Sequence, residues 1–211
     1  MSSLAPRVVL VTRQTELEHL LAEHSTRGQV EFFLNRREQS IDKLQMRHDL
    51  QSAALQKARQ FIPDEWSIAK VDRKNLDRFM FGPNDIIIAI GQDGLVANLA
   101  KYLSGQSVIG ITPDAENSEG VLTRHSSDVL PTLLRALQHN NVGHEMRTMV
   151  KASLDDGQTL LALNEIFLGH KSHQSAKYIV SINRKEEYQS SSGIIVSTGT
   201  GLTGWAKSIL T

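Results

Sequence analysis

Five consecutive apolar residues, Ile86-Ile87-Ile88-Ala89-Ile90, stopped at once by Gly91, constrain this chain more than any other stretch. An apolar run without polar alternation is how a strand covered on both faces of a parallel sheet reads. Gly91-Gln92-Asp93-Gly94 then lets the backbone turn, and Leu95, Val96, Leu99 and Leu103 resume at helical spacing. Strand, glycine turn and helix in that order predict an open α/β sheet, in which such a turn lies at the carboxyl end of a strand where ligands bind. The first turn of the helix offers free N–H groups, which suit a phosphate. A carboxylate does not help to hold an anion. Asp93 therefore reads either as a base or metal-coordinating group, or as an exposed residue of ordinary Asp-Gly turn chemistry.

The flanking chain extends the pattern. Arg7 to Thr12 is a second buried-strand candidate, and Thr15 caps a helix running to about Glu23. Val30 to Leu34 is expected to be another strand. From Ser40 to Phe61 apolar residues recur at helical spacing until Pro63 ends the pattern, so a long amphipathic helix with a solvated basic face is expected. Trp66 to Val71 and Val108 to Ile111 read as further strands, Asn75 to Met80 as a turn of helix, and Asp128 to Leu137 as a helix. After Gly143 the character changes. Met146 to Leu154, Thr159 to Leu168, Tyr178 to Ile182 and Gly193 to Ser197 read as strands with short connections, with Asp155-Asp156-Gly157 a hairpin turn. The expectation is a three-layer α/β domain with a parallel sheet over residues 1–143 and a mainly antiparallel, β-rich domain over residues 144–211.

Composition removes several function classes. The chain has 211 residues, with 23 basic and 23 acidic side chains, so it lacks the electrostatic footprint of a nucleic-acid or anionic-membrane binder. It has no cysteine, which excludes disulfides, thiolate catalysis and cysteine-ligated zinc and fits a reducing compartment. No apolar run approaches membrane-spanning length, and the N-terminal run is too short for a signal peptide. A soluble, cytoplasmic protein is expected.

A second glycine-rich stretch, Ser197 to Trp205, contains Gly199, Gly201 and Gly204 at the G-x-G-x-x-G spacing of dinucleotide folds. That fingerprint needs a βαβ unit and a later acidic residue, whereas the segment before it reads as antiparallel. Gly199 and Gly204 also have phosphate-loop spacing, but Trp205 stands where the lysine is required. The stretch is either a nucleotide contact or a tight β-to-helix crossover. Asn164-Glu165 reads either as a pair that contacts a ribose or base edge, or as two polar residues at a strand bend. His170 and His173 lie in a polar loop without a third ligand and read as solvated.

Taken together, Gly91-Gln92-Asp93-Gly94-Leu95, Asn164-Glu165 in LALNEIFLG, and Ser191 to Ser208 (SSGIIVSTGTGLTGWAKS) resemble the NAD kinase family. That family has a GGDGT turn after a buried strand, an Asn-Glu pair in a β domain, and a later Ser/Thr/Gly-rich segment ending in Ala-Tyr. Order and approximate spacing agree over residues 80–211; the first 80 share only βα character. Gln92 replaces the second glycine of GGDGT and Leu95 its threonine. Ser192 replaces an acidic residue of many members, and Gly204-Trp205 replaces Ala-Tyr. The Ser-Ser-Gly and Gly-Thr-Gly-with-tryptophan features are similar to the mitochondrial type of NAD kinase and its bacterial relatives.

The resemblance implies transfer of the γ-phosphoryl group of ATP, or of polyphosphate, to the 2′-hydroxyl of the adenosine ribose of NAD, with Mg2+ accompanying ATP. It implies Asp93 as the catalytic group that accepts or orients the hydroxyl proton. Gly91 and Gly94 would line the phosphates, Asn164 and Glu165 would hold NAD, and Thr203, Gly204, Trp205 and Ser208 would complete the NAD pocket, with no protein metal site. It also implies a homo-oligomer and a β domain that continues beyond Thr211. Two alternatives stay open: a kinase-like protein that acts on another small hydroxyl compound or binds nucleotide without catalysis, and a Rossmann-type dehydrogenase.

Overall fold

The computed structural model describes residues 5–118, 120–139 and 141–210, which fall into two compact units, Met1–His144 and Glu145–Thr211. In the first unit β1 (Arg7–Thr12) leads into three helices, α1 (Glu16–His24), α2 (Arg27–Asn35) and α3 (Ile41–Phe61). Then come β2 (Ser67–Asp72), a 3₁₀ turn (Arg73–Arg78), β3 (Ile86–Ile90), α4 (Asp93–Ala100), β4 (Val108–Ile111) and α5 (Leu130–Gln138). The four strands pair in parallel in the order β2-β1-β3-β4, with Val9 opposite Ile87 and Ile88 opposite Ile109.

The continuous apolar runs are explained by what covers them. Val8, Leu10, Ile88, Ile90, Ile109 and Ile111 face Ala54 and Ala58 of α3 and Leu130 and Leu134 of α5. Val9, Val11, Ile87 and Ala89 face the opposite way, onto Leu76 and onto Leu95, Val96 and Leu99 of α4. Alternate residues of one strand point to opposite faces, so a sheet with helices on both sides needs apolar side chains at every position. This gives the three layers expected from the sequence. Arg7 ties the start of β1 to the start of β3, donating to the buried Asp85 carboxylate from Nε at 2.9 Å and from Nη2 at 2.6 Å.

One element of this unit departs from expectation. Val30 to Leu34 is not a strand but part of α2. Val30 and Leu34, four apart, are both buried against α1 and α3, whereas Phe32 between them is 64% exposed. The Thr26 hydroxyl accepts the Gln29 N–H as an N-cap. A short run such as Val-Glu-Phe-Phe-Leu fits both periods, and packing between two helices decides for the helix. Elsewhere the Thr15 cap agrees with the reading. Thr15 and Glu18 form a capping box on α1, and the Ser40 hydroxyl caps α3.

The second unit is built of antiparallel ladders. β5 (Val150–Ser153) pairs with β6 (Thr159–Ala162), and β7 (Glu165–Leu168) with β10 (Ile194–Ser197). β8 (Ala176–Ile182) pairs with β9 (Lys185–Ser191), and α6 (Trp205–Leu210) follows a 3₁₀ turn at Gly201–Thr203. Thr159 to Leu168 is therefore not one strand; it breaks at Leu163-Asn164, where the side chain of Leu163 turns inward. β9 had no signal in the sequence. Its residues Lys185-Glu186-Glu187 are polar, and it is specified instead by a tight turn at Asn183-Arg184, whose φ values of 51° and 65° match a hairpin turn of primed type.

Candidate functional site

Gly91 closes β3 with its N–H donating to the Ile111 carbonyl of β4 at 2.9 Å. It is buried, and an added Cβ would press on the Leu95 side chain at 3.2 Å, so the turn and the first turn of α4 are in close contact. Gln92 occupies the N-cap of α4 without a side-chain capping bond, and its side chain is exposed. Gly94 has open space where a Cβ would be. Gly91, Gln92 and Gly94 line a cavity of about 470 Å³ at the carboxyl ends of β1, β3 and β4, as an open α/β sheet predicts for a ligand site.

Asp93 is the first residue of α4 and is not an exposed turn residue. Its Oδ2 accepts the Val121 N–H at 2.7 Å. Its Oδ1 accepts the N–H groups of Leu122 and Thr123 at 3.0 and 2.9 Å, and the Thr123 hydroxyl at 2.9 Å. The carboxylate thus organises the loop that follows β4. That loop is tightly packed: a Cβ at Gly110 would collide with the Leu122 carbonyl oxygen, and one at Gly120 would fall 2.9 Å from Asp93 Oδ1. Burial pushes the Asp93 carboxyl up, but the three N–H donors and the hydroxyl outweigh it and hold it below the usual carboxylate range. Asp93 is therefore ionised at neutral pH. Three of these bonds fall on Oδ1 and one on Oδ2, and Asp93, unlike Gly91, Gln92 and Gly94, is not among the residues that line the cavity. No run of sequence announced these partners, which lie 28 to 30 residues away.

The second group of candidate residues converges within the second unit. The Asn164 carbonyl accepts the Thr198 N–H at 2.9 Å, and the buried Thr198 hydroxyl donates to the Leu163 carbonyl at 2.6 Å and accepts the Gly201 N–H at 3.1 Å. These bonds fasten the strand break at Leu163-Asn164 to the glycine-rich turn. A Cβ at Gly201 would collide with the Asn164 carbonyl, and one at Gly204 would meet the Asn164 amide at 3.4 Å. Thr198 is thus a structural member of this region that sequence reading did not single out, and Gly201, noted there for its glycine spacing, is held by contact with Asn164. Asn164 Oδ1 and Glu165 Oε2 are buried and meet no donor among the described residues. Buried polar atoms are nearly always bonded, so these two open acceptors on consecutive residues have room for donors from water or a ligand.

The remaining candidates lie beyond that turn. Thr203, Gly204, Trp205 and Ser208 are exposed. The Thr203 hydroxyl donates to the Thr200 carbonyl at 2.8 Å and the Ser208 hydroxyl to the Trp205 carbonyl at 2.7 Å, while the Trp205 ring stands edge-on to Phe167 at 5.8 Å. Because β10 runs antiparallel to β7, the glycines from Gly199 to Gly204 do not sit in a βαβ unit, and the dehydrogenase reading loses the context it requires. Among the described residues there is no group of three His, Asp or Glu side chains arranged to hold a metal ion. His170 is bonded through Nδ1 to Ser172. No helix of the described residues is long and apolar enough to cross a membrane.

Comparison with known proteins agrees with the resemblance read from the motifs. No family model matches the chain. An NAD kinase of Chlorobaculum tepidum is 28% identical over 127 residues, which is 59% of this chain and 44% of that protein. The crystal structure of yeast NADH kinase complexed with NADH superposes with a TM-score of 0.51 at 13% identity, over 97% of this chain and 61% of that one. The chain is similar in sequence to an NAD kinase and in fold to an NADH kinase, and it matches 44% and 61% of the length of these two relatives.

Proposed function

We propose, from this likeness to NAD kinases, that the chain transfers the γ-phosphoryl group of ATP to the 2′-hydroxyl of the adenosine ribose of NAD, giving NADP. The observation that carries the reading furthest is the open pair Asn164 Oδ1 and Glu165 Oε2, two buried acceptors beside a turn whose glycines admit close approach. A ribose hydroxyl other than the one that reacts is a donor of the kind such a pair lacks.

In the proposed reaction the ribose 2′-oxygen attacks the γ-phosphorus. The new O–P bond forms as the bond from phosphorus to the β–γ bridging oxygen breaks, and ADP leaves with that electron pair. The hydroxyl proton passes to Asp93, the role that the likeness to NAD kinases assigns to this carboxylate. A carboxylate held below its usual range is a weak base, but phosphoryl transfer asks the protein mainly for positioning and charge neutralisation. Gly91 and Gly94 lie where donor phosphates approach the start of α4. Thr203, Gly204, Trp205 and Ser208 extend the NAD pocket. Magnesium enters with ATP as part of the substrate, held chiefly by phosphate oxygens and water. A cytoplasmic homo-oligomer completes the reading, to be measured by light scattering.

Gln92 and the commitment of Asp93 to the loop favour one second reading, a nucleotide-binding protein without turnover. Incubation with NAD, ATP and magnesium separates the two. NADP formation is expected; binding of both nucleotides with no NADP supports the second reading.

A further inference from the structure

The strand that follows Asn164 carries one ring, Phe167, for which the surrounding backbone is cleared. Leu168 at the end of β7 pairs with Ile194 at the start of β10, so Gly169 and Gly193 face each other one step beyond the ladder. A Cβ at Gly169 would fall 2.5 Å from the Phe167 ring and 3.0 Å from the Ser192 carbonyl oxygen. One at Gly193 would collide with the Phe167 ring and the Leu168 carbonyl, and the φ of 149° there is itself a glycine conformation. Gly193 is pinned in turn. Its N–H donates to Ser191 Oγ at 3.1 Å, and its carbonyl oxygen lies 3.0 Å from Ser191 Oγ and 3.3 Å from the Tyr178 hydroxyl. The two glycines thus form a slot in which the Phe167 ring is seated.

Covering bare glycines in a ladder is a stabilising use of an aromatic ring in its own right. It does not explain what the uncovered part of the ring meets. Phe167 stays 49% exposed, and its ring stands edge-on at 5.8 Å to Trp205, which is also 49% exposed. Residues two apart on a strand share a face, so Phe167 stands on the same side of β7 as Glu165, whose Oε2 is buried without a donor among the described residues. Gly204, next to Trp205, lies against Asn164, where a Cβ would meet Nδ2 at 3.4 Å. A half-open aromatic pair and two open acceptors therefore adjoin along one strand.

We propose that Phe167, seated between Gly169 and Gly193, is a positioning residue of this site: it holds the Trp205 ring on edge so that the open indole face receives the planar base of the dinucleotide. Edge-to-face contact is a preferred geometry for two rings, and a ring already fixed before binding loses little side-chain freedom when a base stacks on it. The inference rests on the proposed NAD site for the identity of the ligand, and adds Phe167 and its glycine slot to that site. The base that stacks is either adenine or nicotinamide.

Trp205 supplies the readout. The chain has two tryptophans and Trp66 is buried in the first unit, so the emission lost in Trp205→Phe reports on Trp205. In the full wild-type chain NAD is expected to quench that emission, and titration with adenosine monophosphate and with nicotinamide mononucleotide shows which base stacks. Phe167→Leu keeps an apolar side chain on β7 but removes the ring edge. By the same quench it should bind NAD about 10-fold more weakly, the scale of one stacking contact, and its loss of NADP formation should fall on the KM for NAD more than on kcat, with the KM for ATP unchanged. Phe167→Tyr, which keeps the ring, should restore NAD binding. Gly169→Ala leaves both rings in the chain but displaces Phe167 from its slot, so it should weaken NAD binding in the same direction. Circular dichroism verifies that each variant is folded. Absence of quenching in the wild type, or NAD binding unchanged in both Phe167→Leu and Gly169→Ala, overturns the proposal. Quenching by NAD that depends on Phe167, without NADP formation, would instead remove the kinase reading and leave the aromatic site.

Discussion

Asp93 and Thr123 lie 30 residues apart and are joined twice, the Asp93 Oδ1 accepting both the N–H and the hydroxyl of Thr123 at 2.9 Å. With the Val121 and Leu122 N–H groups this makes the carboxylate the fixed point of the loop after β4. The residue that the motif marks for chemistry is thereby also a residue on which local structure depends.

That double role gives a pH dependence. The Asp93 carboxyl lies below its usual range, and so does Asp85, where burial is outweighed by the Arg7 guanidinium and the Gly82 N–H. A depressed native value means that the stabilisation is complete above the unfolded carboxyl value of about 3.9 and is lost as pH falls through the lower native one. Urea midpoints should hold steady near neutrality and drop below about pH 4. Asp93→Asn should flatten that drop in part, since Asp85 remains. A midpoint that rises on acidification would contradict the assignment.

The loop that Asp93 holds is packed against β4 through Gly110, and this separates two glycines of similar appearance in the sequence. Gly110→Ala drives a Cβ into the Leu122 carbonyl and should cost about 1–3 kcal/mol or more, with lower NADP formation because the loop shifts. Gly94→Ala meets open space inside α4 and should stabilise by about 0.5–1 kcal/mol. Equal unfolding midpoints for the two variants would count against the packing described.

What could be read in the sequence follows the range of the forces involved. β3 was legible because both faces of Ile86 to Ile90 are covered, and α3 because its spacing persists from Ile41 to Phe61. Val30 to Leu34 was misread because a short apolar run acquires its period only from its neighbours, here α1 and α3. β9 was missed because its register comes from pairing with β8 and from the turn at Asn183-Arg184, not from its own side chains. Asn164 and Glu165 were visible as a pair. Their unbonded oxygens were not, because these depend on how the chain bends at Leu163 and meets Thr198.

Glu165→Gln tests the open pair. Glu165 Oε2 is buried with no donor among the described residues, so the amide of the same size should leave the fold about as stable. If Glu165 holds a ribose hydroxyl, NAD should bind about 10-fold or more weakly, on the scale of one charged hydrogen bond. Equilibrium dialysis against NAD measures the second effect and urea unfolding the first. Unchanged NAD affinity in a folded variant would remove Glu165 from the site.

Asp93→Asn and Thr123→Val together separate chemistry from anchoring. Thr123→Val removes one hydroxyl bond to Oδ1 and keeps the carboxylate and its Oδ2 bond to the Val121 N–H. It should cost about 1–2 kcal/mol of stability, as expected for a bond to a charged group, and reduce NADP formation only a few-fold. Asp93→Asn keeps the size of the side chain but replaces one acceptor oxygen with an N–H donor that faces the loop amides, so it should destabilise at least as much. If Asp93 also receives or orients the hydroxyl proton, turnover should fall by about 100-fold or more, the scale of losing a general base. The comparison turns on the ratio of lost turnover to lost stability. A large loss of NADP formation in Asp93→Asn, at a stability matched by Thr123→Val, assigns the chemistry to the carboxylate. Equal turnover in the two variants would make Asp93 a loop anchor alone.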